Sequence, residues 1–133
     1  MAGAHGNFVL DKGYRAGAVL TKYRAVKFLP GQTETSVVPV AAITDVIAGV
    51  VQFGVSATEL PRGKGASCRT MGETIMEAAA AIPLGSIVAI NASGQAVVAT
   101  TGARVIGTCT GAPALNPLDQ ITVRLEPYAG LAP

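Results

Sequence analysis

The chain has 133 residues, half of them hydrophobic and only 14% charged, with a formal net charge of +2. That length suits one domain able to bury roughly two-thirds of its unfolded surface without a metal or disulfides, and so small a charge gives no case for nucleic acid as a partner. Its apolar runs are broken by Pro39, Gly49, Pro83 and Gly85 before reaching the ~18 residues a membrane helix needs, so no membrane partner is expected.

Residues 1–13 contain no signal-type apolar core, and synthesis in a cytoplasm is the expectation. Residues 1–22 mix glycines with isolated apolar side chains and hold neither a helical nor a strand period. They read as an extended N-terminal arm with one short strand. The charge is concentrated there: residues 1–27 carry Lys12, Arg15, Lys22, Arg24 and Lys27 against Asp11 alone. A solvated basic lead-in and an arm lying on an acidic partner are both compatible with this pattern.

Strand signals begin at Tyr23 and define one β domain over residues 23–133. The first run covers residues 24–28, ended by Pro30-Gly31; the next cover 36–40, 46–53 and 66–70, with the Pro-containing stretch 58–63 before the last. Residues 72–82 are ambiguous, because an alanine run favours a short helix while Thr-Ile-Met-Glu favours a strand; a strand ending near Glu77 is the reading adopted. Further strands follow at 86–90, 96–100, 104–110 and 121–125. The Asn91 to Gly94 turn between the first two of these needs a positive φ, which Gly94 supplies. Alternation in the last strand turns Ile121, Val123 and Leu125 to one face.

The landmarks recur. Gly31-Gln32 answers Gly94-Gln95, residues 46–49 answer 104–107, and residues 66–69 answer 121–124. The offset shrinks from 63 to 58 to 55, as it would between two copies differing in loop length. Two diverged four-stranded units, about 23–71 and 82–126, follow, arranged as a small β-barrel or β-sandwich.

Chemistry is poorly provided for. The single histidine, His5, sits in the Gly/Ala-rich terminus, no Gly-x-Ser-x-Gly elbow is present, and the carboxylates are scattered. Arg62-Gly63-Lys64-Gly65-Ala66-Ser67 lacks the order of a phosphate-binding loop. Cys68 and Cys109 have no CxxC partner and read as buried free thiols. No catalytic residue, metal ligand or cofactor-binding residue is assigned, and no enzyme is expected.

From Gly72 to Pro127 the chain carries Ala81-Ile82-Pro83-Leu84-Gly85, the strand 86–90, Ser93-Gly94-Gln95-Ala96-Val97, Val105-Ile106-Gly107, the Ala/Pro loop 112–115 and the closing strand 121–125. This resembles the capsid decoration, or cement, proteins of tailed bacteriophages. The resemblance implies a β-rich homotrimer bound to the outer surface of an expanded icosahedral head, where it ties major capsid subunits together. It implies a virion location, and a terminal arm as the reaching element, which makes Phe8, Lys12, Tyr14, Arg15 and Lys22 the candidate capsid-contact residues. A rival reading is a small-ligand or carbohydrate-binding β-barrel of a tail or host-recognition structure. It wants aromatic platforms, and this chain has no Trp.

Overall fold

The computed structural model describes residues 9–126 and 130–133. Its strands are β1 (Leu10–Ala16), β2 (Ala25–Phe28), β3 (Ser36–Pro39), β4 (Gly49–Val51), β5 (Gly65–Glu77), β6 (Ile87–Ile90), β7 (Ala96–Val98), β8 (Val105–Gly111) and β9 (Gln120–Leu125). Among the described residues the one helical element is a single 3₁₀ turn over Leu60–Arg62, so the fold is all-β as expected. His5 and Phe8 lie outside the described residues.

The sheet runs β1-β3-β2-β4-β5-β9-β8-β6-β7, and β1 also pairs with β5. That additional pairing closes β1, β3, β2, β4 and the first half of β5 into a barrel. The second half of β5 starts another ring through β9, β8, β6 and β7, which the parallel bridge Ala78↔Ala96 returns to the end of β5. The long strand is thus shared by both barrels. It changes barrel at Gly72, whose φ of 91° lies in the region that glycine alone enters without steric cost.

The two rings repeat one wiring. In each, a hairpin (β2–β3, β6–β7) has its first strand paired to the next strand (β4, β8), which pairs in turn with the last (first half of β5, β9). Register repeats as well: Tyr14 faces Ala66 where Met76 faces Ile121, and Val26 faces Gly49 where Val88 faces Gly107. The strand wiring therefore repeats, with one extension. Each unit has a further leading strand, β1 in the first and the second half of β5 in the second, and each leading strand touches its hairpin in parallel. The place of β1, Leu-Asp-Lys-Gly-Tyr-Arg-Ala, in the barrel wall is not legible in the sequence, because charge and glycine on a mostly exposed strand leave no apolar alternation.

Equivalent glycines mark the tightest packing. A Cβ on Gly49 would stand 2.8 Å from the Arg69 carbonyl oxygen, and one on Gly107 would collide with the Arg124 carbonyl oxygen. Each barrel brings its fourth strand onto its last so closely that only hydrogen fits between them.

Two cores result. One holds Leu20, Val26, Val37, Val51, Val55 and Cys68 inside the first barrel. The other is centred on Met76, Ile82, Ile90, Ile121 and Val123 in the second, and it extends to Ala25, Val40 and Val50 of the first unit. Each large aliphatic side chain so enclosed contributes about 1.5–3 kcal/mol. Cys68 and Cys109 are buried free thiols, as expected. Val123 is fully buried on the inward face assigned to it.

Polar contacts hold the barrels against each other. Arg24 donates to Glu77 Oε1 from Nε (3.1 Å) and Nη2 (2.8 Å), and the same oxygen accepts from Gln95 Nε2 at 2.7 Å. Arg104 donates to the carbonyls of Thr44 and Asp45 from the other side. Gly94, at the expected positive φ of 78°, sits in this seam, where its carbonyl accepts from the Ala25 amide at 2.9 Å.

Candidate interaction surface

The lead-in candidates separate once placed. Lys12, Tyr14 and Arg15 stand on β1, whereas Lys22 lies beyond the Leu20↔Val55 bridge, on the turn into β2. Tyr14 is half-buried, packed edge-on against Phe28 with ring centroids 5.4 Å apart, and belongs in part to the wall of the first core. Burial is also the main reason its phenol titrates above the ordinary value of 10.0. Arg15 is exposed and touches Glu34 at 3.3 Å. Lys22 places its ammonium 4.9 Å from the centre of the Tyr23 ring. Lys12 is exposed.

β1 is fastened to the barrel by Asp11. Its two carboxylate oxygens accept from Arg69 Nε (2.8 Å) and Nη2 (3.0 Å), a two-point contact between strands that face each other in register. That hydrogen bonding holds the Asp11 carboxyl below its ordinary value of 3.8. In the second unit Glu73 faces Arg124 at the equivalent position.

Two surfaces escaped the sequence reading. One is the tip formed by residues 112–118. Asp119 Oδ2 accepts from the Leu115 and Asn116 amides, both at 3.0 Å, and Ala114 exchanges main-chain hydrogen bonds with Ile82. Ala112 (φ 46°) and Leu118 (φ 71°) are held in the left-handed region, which costs a non-glycine residue about 1 kcal/mol or more. The clamped loop presents Leu115, 79% exposed, and Leu118, 63% exposed, with no charged side chain between them. A leucine between two prolines, followed by Asp119 as a clamp, was the available signal.

The other surface is a groove of about 900 Å³ on the second barrel, lined by Ile87, Val98, Val105 and Leu131 with threonines around them and Glu126 as its charged member. Among the described residues that line it, none is aromatic.

Among the described residues no three His, Cys, Asp or Glu side chains stand close enough to hold a metal ion. Cys68 is pushed up to about 11, chiefly by burial and secondarily by the Asp11 charge, so it remains a protonated, unreactive thiol at neutral pH. The carboxylates engage in structural contacts: Asp45 caps the Ala41 and Ala42 amides, and Glu59 is held down to about 2 by Lys64 and by Ser56.

The carboxylates of Asp11, Asp45, Glu59 and Asp119 thus tie strands and loops, while Leu115 and Leu118 stand outward. The chain belongs to the phage cement protein family, whose profile matches residues 7–125. It is accordingly a structural, capsid-associated phage protein with a virion-associated location. Among solved structures the fold is similar to the head fiber gp8.5 N base of bacteriophage phi29, with a TM-score of 0.68 at 16% identity over 90% of this chain and 96% of that one. No curated protein sequence matches the chain significantly.

Proposed function

We propose that the protein binds the outer surface of an expanded icosahedral phage head as a homotrimer and stabilises the shell by bridging neighbouring major capsid subunits. The observation that carries this reading is the tip at residues 112–118. Backbone strain and a carboxylate clamp fix two exposed leucines in place before any partner arrives, which lowers the ordering cost of binding. Family membership supplies the capsid as the surface for them to meet. Arg15 and Lys22 add exposed basic heads from the first barrel, while Tyr14 supports the strand that carries them. Many copies on one lattice make modest contacts sufficient, since each neighbour limits escape.

The test uses the full chain and purified expanded shells. The double variant Leu115→Asp with Leu118→Asp should keep its melting temperature and lose co-sedimentation with the shells. Unchanged co-sedimentation would remove the tip from the contact.

A further inference from the structure

The duplication exposes a difference between the two barrels. In the first unit the hairpin's outer strand, β3, pairs with β1 at Ser36 and Val37, and its continuing edge is closed by Pro39, which has no N–H to offer. Pro39 faces Val26, and the equivalent residue facing Val88 in the second unit is Val98. The Ala99 amide donates to the Ile87 carbonyl, so Ala99 is a bonded position, and the alternation of antiparallel pairing turns the Val98 N–H and C=O away from β6. Among the described residues β7 is covered only at Ala96, by Ala78. An open main-chain edge therefore runs beside the apolar groove, and the proline that protects the first unit is absent.

The chain carries a second open edge that complements it. β1 pairs with β3 at Arg15 and Ala16, so among the described residues the outer side of its first residues is uncovered. The Arg15 amide donates outward to Thr35, which by alternation turns the main-chain groups of Gly13 and Asp11 outward too. Val9 and Leu10, each 43% exposed, stand at the start of this edge with Lys12 next to them. Apolar side chains followed by one cation match an apolar groove whose charged member is a carboxylate, Glu126. Its contact within the chain is with Arg124 at 3.4 Å.

We propose that a second copy of this chain fills the site: residues 9–13 of one copy add as a strand to the β7 edge of the next, with Leu10 entering the groove and Lys12 meeting Glu126 of that neighbour. The contact joins two different surfaces, so it propagates head to tail and closes into a ring. This deepens the oligomer reading given above and rests on it. Strand addition supplies main-chain hydrogen bonds, the groove supplies apolar burial, and the charge pair sets direction and register.

The experiment measures the mass of the full-length protein in solution, with thermal melting as the control for folding. The unaltered chain should form one species at a fixed multiple of the chain mass, and Val98→Pro, which copies the first unit's own edge block, should be monomeric with an unchanged melt. Lys12→Glu and Glu126→Lys should each weaken association at least about tenfold, and the two together should restore it to within about threefold. That rescue keeps the proposal falsifiable if Val98→Pro fails to fold. An oligomer indifferent to Val98→Pro, or a double charge reversal without rescue, would overturn the edge contact while leaving the oligomer reading standing. A monomeric unaltered chain would overturn both, and if Val98→Pro then lost binding to expanded shells, the occupant of the edge would be a shell strand instead of a second copy.

Discussion

Gly107 and Gly49 show how much of this fold rests on single hydrogens. Gly107→Ala should destabilise by about 3 kcal/mol, because the added methyl has backbone, not a movable side chain, in its way. Gly13→Ala, where nothing stands within 4 Å, should stay within about 0.5 kcal/mol, and thermal melts of the two variants check the contrast. Val123→Asp should cost about 4 kcal/mol or more by placing an unpaired charge in the second core, and an unchanged melting temperature would reject the strand's register. Asp11 adds a pH dependence with a definite sign. Its carboxyl is depressed below 3.8 in the folded state, so its tie to Arg69 is fully present above that value and is lost as pH falls from 3.8 through the lower folded value. Asp11→Asn should therefore flatten the dependence of the melting temperature on pH below about 4.

At the scale of elements, β1 is the strand that completes the first barrel. A truncation lacking residues 1–16 should open that barrel and let a thiol reagent reach Cys68 faster than Cys109, which lies in the second core; equal protection of both thiols would contradict it. This is also where legibility in the sequence ran out. β9 and the 91–94 turn were readable because inward residues alternate and because Gly94 is needed at φ 78°. The ambiguous stretch at 72–82 is strand as far as Glu77, where β5 ends, since Thr74 and Met76 have a core to face while Ile75 faces out. β4 is shorter than the apolar run 46–53 implied: Val46 and Phe53 are exposed, and pairing with β2 and β5 spans only the middle of the run. Of the candidate surface, the basic lead-in was visible as charge, but its division between β1 and the Lys22 turn was not. The 112–118 tip depends on a clamp and on backbone angles that no residue pattern displays. Glu77 shows the same dependence on long-range geometry: one carboxylate oxygen is shared by Arg24 and Gln95, from separate elements. Glu77→Ala should loosen the seam by about 2 kcal/mol in a denaturant melt.

For the whole molecule, a repeated strand wiring gives two barrels on one shared strand, joined by a core that spans the seam and by side-chain bonds from Arg24 and Arg104. Binding that favours one state of a shell stabilises that state by linkage, by about 2.7 kcal/mol per site at a hundredfold excess over Kd. The most direct measurement is imaging of the purified protein mixed with expanded and with unexpanded shells. The account predicts regular density on the outside of expanded shells, little on unexpanded ones, and a raised disruption temperature for the decorated particles. Absent density on both, or equal binding with no gain in shell stability, would contradict it.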